Sequence, residues 1–401
     1  MTANGPRPTI YLDYQSTTPT DRRVLAVMEP YFTEAFGNPH SRGHALGRQA
    51  AEAVNRARAQ VATSIGADSR EIVFTSGATE SNNLALKGAA AFQREHAPNP
   101  RSHVVTLATE HKCVLEAARR IEAQGFEVTH VPVSESGLVD LDALSEAIGP
   151  RTFLVSVMAA NNEIGVIQPV AGIGALCRAR GVHFHTDAAQ AAGKIALDVN
   201  AMSIDLMSIS GHKVYGPKGI GALYVRRRPR VRLVPLIDGG GQERGLRSGT
   251  LPTPLCVGLG AALELAAGER EEESTRISEL RDRFLAAITE RIPDVLVNGD
   301  PARRLPGNLN LAFPGADGVA LVGALPDVAI STGSACTSAF VEPSYVLRAI
   351  GLPADRAEAS IRVGFGRFTT AAEVDCAAAR IAEEVARQRA AATSGRRAAS
   401  S

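Results

Sequence analysis

Between Glu71 and Val225, short apolar runs alternate with stretches of helical periodicity, and no other feature constrains the fold as much. Strands are expected at residues 72–75, 104–108, 126–131, 153–158, 182–186, 204–209 and 222–225, several of them separated by connections of helix length. That pattern predicts a doubly wound, mostly parallel sheet. Ahead of it lie an extended segment at 10–13, a helix at 22–32, and a turn at Phe36-Gly37-Asn38-Pro39-His40-Ser41. A helix follows the turn, with its apolar face on Leu46, Ala50, Ala53, Val54, Ala57, Val61 and Ile65. Beyond it, a long helical stretch from about Pro254 to Ile292 reads as a connector between lobes. Strands at 295–297, 309–313, 328–331 and 361–365, mixed with helices at 318–324, 344–350 and 371–391, predict a smaller α+β domain. The expected division is a large α/β domain over 15–255, a small domain from 1–14 with 256–391, and a disordered tail at 392–401, where the apolar period stops.

Composition narrows the function classes. A formal charge of +1 over 401 residues argues against nucleic acid or an anionic membrane as the main partner. No window is apolar enough to span a membrane, and residues 1–6 carry neither a secretory nor an import signal, which points to the cytoplasm. The five cysteines, at 113, 177, 256, 336 and 376, are widely spaced and never form C-x-x-C, so they read as cytosolic thiols.

Chemistry gathers at strand ends. In Ser208-Ile209-Ser210-Gly211-His212-Lys213-Val214-Tyr215-Gly216, an apolar run breaks into small residues and holds a lysine amine at a turn, a placement suited to imine formation with an aldehyde. Thr75-Ser76-Gly77-Ala78-Thr79-Glu80 lies between a strand and a helix and reads as a phosphate cup, or else as a plain helix cap. Asp187, at the end of His183-Phe184-His185-Thr186-Asp187, can hold a pyridinium nitrogen protonated. The same residues also fit a His-x-His-x-Asp metal row or, with Gln190, a capping box. Glu110-His111-Lys112 and Asn161-Asn162-Glu163 follow two further strands, so side chains from five strand ends converge on one crevice.

Three segments stand apart. Ser331-Thr332-Gly333-Ser334-Ala335-Cys336-Thr337-Ser338 surrounds one thiol with small residues, as suits a loop that reaches a substrate, whereas Cys113, Cys177, Cys256 and Cys376 read as inert packing thiols. Arg226 to Arg232 reads as a solvated strand end. Arg362 alternates with apolar neighbours on a strand, and a buried guanidinium there calls for a carboxylate.

Taken together, Thr75-Ser76-Gly77-Ala78-Thr79-Glu80-Ser81-Asn82, Glu110-His111-Lys112, Asn161-Asn162-Glu163-Ile164-Gly165, Ser210-Gly211-His212-Lys213, Arg247-Ser248-Gly249-Thr250 and Ser334-Ala335-Cys336-Thr337-Ser338 resemble, in order, the cysteine desulfurases of the iron–sulfur-cluster-assembly type. The resemblance covers nearly the whole chain. It implies the aspartate-aminotransferase-like α/β fold, pyridoxal 5'-phosphate as cofactor, L-cysteine as substrate and a homodimer. By that resemblance, Lys213 carries the cofactor, Ala78, Thr79, Ser210 and His212 contact its phosphate, and Asp187 pairs with its ring nitrogen. Asn162 and Gln190 hold the ring side, and His111 stacks on the ring and handles protons. Arg362 with Asn38 takes the substrate carboxylate, Thr250 reaches the partner subunit's phosphate, and Cys336 takes the sulfur as a persulfide. No intrinsic metal is implied, although Cys336 is placed to ligate a nascent iron–sulfur cluster transiently. The scaffold-serving members end in an aromatic and acidic docking tail, whereas this chain has no Trp and ends in Ala, Ser and Arg, so the sulfur acceptor is a scaffold or another protein. Rival readings are a metal-dependent hydrolase built on His183, His185 and Asp187, and a non-catalytic sulfur-carrier-binding protein. Within the family, selenocysteine lyase and aminotransferase remain alternatives.

Overall fold

The structure is a computed structural model that describes residues 9–332 and 344–399, with side chains described as far as residue 394. Cys336, with the rest of 333–343, lies outside the described residues. The chain opens with β1 (Ile10–Tyr11), α1 (Arg22–Met28), α2 (Pro30–Thr33) and α3 (Ala45–Ser64). The single helix expected at 22–32 is thus two, because Pro30 has no N–H to continue the ladder and starts a new turn instead.

The sheet region follows the expected alternation: β2 (Ile72–Thr75), α4 (Ala78–Glu95), β3 (His103–Leu107), α5 (Lys112–Glu122), β4 (Glu127–Val131), α6 (Leu141–Ala147), β5 (Thr152–Ser156), α7 (Val170–Arg180), β6 (His183–Asp187), β7 (Leu206–Ser210) and β8 (Gly221–Val225). These strands form one seven-stranded sheet in the order β2-β8-β7-β6-β5-β3-β4. Only β8 runs antiparallel to its neighbours, so β2, β3, β5, β6 and β7 all end on the same side. Strands β2, β3, β5, β7 and β8 are buried along their whole length because both faces of the sheet are covered, while the edge strand β4 is partly exposed. On β3, Val105 and Leu107 belong to the core on the face that also holds residues of α3 and α7, while Val104 belongs to the opposite core with Leu84 and Leu86 of α4 and Ile121 of α5.

The connector is one 39-residue helix, α8 (Thr253–Arg291), about 58 Å long at 1.5 Å per residue. Its first half sets Cys256, Leu259 and Leu263 into the large-sheet core, and its second half sets Ile277, Leu280, Phe284 and Ile288 into a separate core. That second core forms around β9 (Leu296–Val297), β10 (Asn308–Ala312), α9 (Gly318–Ala324), β11 (Val328–Ala329), β12 (Ser360–Gly364) and α12 (Ala371–Ala399), with α10 (Tyr345–Ala349) and α11 (Ala354–Glu358) beside it. Leu12 joins that core, and β1 pairs in parallel with β11. Two local expectations need correction. Residues 392–399 continue α12 as helix: alanine keeps the helical preference after the apolar period ends, and the Thr393 and Ser394 hydroxyls donate back to the Arg389 and Ala390 carbonyls at 2.9 and 3.0 Å. Arg226 is not a solvated strand end; it is 6% exposed, donates to the Val199 and Ile204 carbonyls and pairs with Asp205 at 3.0 Å.

Candidate active site

The strand ends open into a cavity of about 930 Å³ lined by Gln15–Thr17, Ser76–Glu80, His111–Cys113, Asn162, Asp187, Gln190, Ser210, His212, Lys213 and Arg362. At its β2 edge the backbone turns through Gly77 at φ +150°, and α4 starts at Ala78 with no side-chain cap. The capping hydrogen bond that Ser76 or Thr79 was expected to supply is therefore missing from this end. Ser76 N–H instead donates to Glu80 at 2.7 Å, and Glu80 is paired with Arg247 at 3.0 Å. An uncapped helix N-terminus beside the Ser210 and His212 side chains is a ready anion site. Gly221 makes the close approach possible: a Cβ there would lie 2.6 Å from the Gly77 Cα and 2.4 Å from the Ile209 carbonyl oxygen.

Lys213 sits in the turn after β7, where its Nζ donates to the Gln15 and Ser16 carbonyls at 2.6 Å each. Asp187 ends β6 and is 4% exposed. Its Oδ2 accepts from Asn82 at 2.7 Å, and its Oδ1 accepts from the Ala189 N–H at 2.9 Å. The capping box expected from Asp187 and Gln190 is a turn, not a helix start, because Gln190 points back and donates to the Gln15 carbonyl at 2.9 Å. Lys194 Nζ donates to the same amide's Oε1 at 3.2 Å. His212 Nδ1 lies 3.0 Å from the Thr17 hydroxyl; burial, aided by Lys213, lowers its pKa to about 4, so the ring is neutral.

Asn162 is carried by a turn that Asn161 builds, accepting from the Glu163 and Ile164 N–H groups at 2.8 and 3.0 Å and donating to Thr109 at 2.9 Å. Its own buried Oδ1 has no hydrogen-bond partner among the described residues. Arg362 enters from β12. It donates to Asp13 and Ser16 at 2.7 Å each and to the Asn162 carbonyl at 3.0 Å, while its buried Nε has no partner among the described residues. The carboxylate expected for this arginine is thus Asp13 within the chain.

The cavity brings together Ala78, Thr79, His111, Asn162, Asp187, Gln190, Ser210, His212, Lys213 and Arg362. It does not include Asn38, which is exposed with its Oδ1 accepting the His40 N–H, or Thr250, also exposed. Two features escaped the sequence reading. Residues 15–17 line the wall, yet nothing in that polar run signals it, since their partners lie nearly two hundred residues away. Cys113 is not a core packing thiol: it lines the cavity in contact with His111 and Asn82, and Cys376 is exposed, while Cys177 and Cys256 are buried as expected. The metal row also fails to assemble. The two ring nitrogens of His185 are engaged by the Ser156 and Ser208 hydroxyls at 2.8 and 3.0 Å, and no group of three or more metal-ligating side chains occurs among the described residues.

The family model for class-V aminotransferases matches residues 10–376. The chain belongs to the class-V aminotransferase family. Among class-V relatives, it is 60% identical to a mouse cysteine desulfurase over 95% of this chain and 82% of that protein. It is 57% identical to the cysteine desulfurase IscS of Rickettsia rickettsii over 95% of this chain and 92% of that protein. A solved structure of SspA in complex with cysteine superimposes with a TM-score of 0.79 at 41% identity, covering 90% of this chain and 99% of that one. Class-V members of this kind depend on pyridoxal phosphate, and the cavity fits that group. It offers an uncapped helix N-terminus for a phosphate, a buried carboxylate for a ring nitrogen, an amine, and the unpartnered Asn162 Oδ1 at the ring side. No helix among the described residues is long and apolar enough to cross a membrane.

Proposed function

We infer that the chain is a pyridoxal-phosphate-dependent cysteine desulfurase, converting L-cysteine to L-alanine and passing the sulfur on for iron–sulfur cluster assembly and other sulfur-requiring pathways. The observation that carries this is the meeting of Lys213, Asp187 and the bare N-terminus of α4 in one cavity. When bound, pyridoxal phosphate supplies an aldehyde for the substrate amine and a ring that takes up the electron pair left at Cα.

The protein's own groups do the rest. The α4 N-terminus at Ala78 and Thr79, with Ser210 and His212, would hold the phosphate. Asp187, kept in place by Asn82 and Ala189, would keep the ring nitrogen protonated. Asn162 and Gln190 would hold the ring edge and His111 its face. Lys213 would carry the cofactor at rest and move the Cα proton during turnover. Arg362 would receive the substrate carboxylate by exchanging its bond to Asp13. Cys336 would then take the substrate sulfur as a persulfide, leaving alanine to depart.

A homodimer is part of this reading. It is supported by the exposed apolar side chains of Leu25, Val27, Phe32, Phe36, Leu236 and Ile237, and by Thr250, which is exposed and does not line its own cavity. A scaffold or other protein acceptor collects the sulfur. A reducing, cytoplasmic setting agrees with free thiols at Cys113, Cys177, Cys256 and Cys376. The test is mass analysis after L-cysteine is added without a thiol acceptor. The expected result is one extra sulfur on the peptide holding Cys336, abolished in Cys336→Ser; an unchanged sulfur yield in that variant would refute the role of Cys336.

A further inference from the structure

His111 caps α5 with its own side chain, Nδ1 accepting the Cys113 backbone N–H at 3.2 Å. The same nitrogen lies 3.0 Å from the Cys113 Sγ. That sulfur is 3.1 Å from the Asn82 Nδ2, and the other hydrogen of the Asn82 amide goes to Asp187 Oδ2 at 2.7 Å. Asn82 is fully buried, and turning its amide over would set an oxygen against the carboxylate, so its NH2 faces both acceptors.

One proton assignment uses every contact in this row at once, with Nδ1 as a shared acceptor. The backbone N–H can only donate, so Nδ1 accepts. The sulfur accepts from Asn82 and from the Thr79 side chain and gives its single S–H to Nδ1. The imidazole proton is therefore on Nε2, the remaining nitrogen of a ring that lines the cavity. We infer that Cys113 and Asn82 are positioning residues that lock His111 as a fixed Nε2–H donor, so that the histidine hydrogen-bonds into the cavity and is not a base there.

This rests on the desulfurase reading above and narrows it: with His111 unable to accept at Nε2, removal of the Cα proton falls to Lys213. A neutral imidazole polarises an acceptor without giving up its proton, which suits a group on which negative charge builds, such as the sulfur of a cysteine substrate. The surroundings agree. Burial, then Asp187, pushes the Cys113 thiol up to about 12, which keeps its S–H in place. Burial lowers His111 below its ordinary value; Lys213, from the turn after β7, and Lys112, on α5 itself, add to this, while Asp187 on β6 opposes it.

The experiment is nitrogen NMR of the histidine rings in the holoenzyme across pH, with His111 assigned by its loss in His111→Gln. The expected wild-type pattern is a ring protonated on Nε2 alone that titrates below the free-imidazole value. Cys113→Ala removes one donor to Nδ1 and should shift the titration upward, while Cys113→Ser, which keeps a donor and an acceptor, should restore the wild-type position. A wild-type proton on Nδ1, or Ala and Ser variants that titrate alike, would overturn the assignment. Because the readout needs no turnover, a protein inactive on L-cysteine would defeat the functional reading without touching this one.

Discussion

Replacing Arg362 by lysine probes how the substrate is held. The guanidinium lies 3% exposed on β12 and already makes three hydrogen bonds, to Asp13, Ser16 and the Asn162 carbonyl, with Nε still unpartnered among the described residues. A substrate carboxylate arriving at this fork can take Nε and the Nη2 hydrogen now given to Asp13, a bidentate pair that a point-charge ammonium cannot match. Lysine keeps the positive charge beside Asp13, so the substitution removes geometry while sparing the charge balance. A hydrogen bond to a charged group contributes roughly 1.5–3 kcal/mol, which at 1.4 kcal/mol per decade converts to about 10- to 150-fold. We therefore expect Arg362→Lys to raise KM for L-cysteine by roughly that factor while the cofactor stays bound, with the effect read as alanine formed per minute over a range of L-cysteine concentrations. An unchanged KM with normal cofactor content would show that the carboxylate is held elsewhere, and the role given to Arg362 would fall.

Two other outcomes follow from the same geometry. Burial, then Lys213, brings the Lys194 amine from 10.5 down to about 7. The unfolded chain keeps that amine protonated to about pH 10.4, so from about pH 7 to about pH 9 it binds more protons there and stability rises with pH, a gain absent below pH 7 where both states are protonated. The urea midpoint of Lys194→Met should rise less across that window than the wild type's; parallel curves would contradict a depressed Lys194. Gly221→Ala would drive a Cβ into the Gly77 Cα and the Ile209 carbonyl, shifting the start of α4 at a cost of about 1–3 kcal/mol. Cofactor should leave this variant faster on dilution, and unaltered retention would mean that the α4 N-terminus does not carry the phosphate.

The sequence made the strand ends legible because each strand there is a short apolar run broken abruptly by small or polar residues, as at Thr75-Ser76-Gly77 and Ile209-Ser210-Gly211. What stayed hidden was long-range. Gln15 and Ser16 receive Lys213 across 198 and 197 residues, a meeting that no local pattern encodes. Arg226 looked solvated beside its arginine neighbours, yet Asp205 and the Val199 and Ile204 carbonyls enclose it. Cys113 shows the opposite limit: helical spacing suggested a packing position, and only the fold reveals that this position borders the cavity. The Asp187 turn carried a helix-cap pattern, but Gln190 found its partner on the N-terminal segment and no helix formed.

The central claim, that Lys213 anchors the cofactor of a desulfurase, is tested most directly by borohydride reduction of the pyridoxal-phosphate-loaded protein, followed by peptide mapping and an alanine assay on Lys213→Ala. The account predicts reduced cofactor on Lys213 and no alanine released from L-cysteine by the variant. Label on any other lysine, or continued alanine release without Lys213, would contradict it.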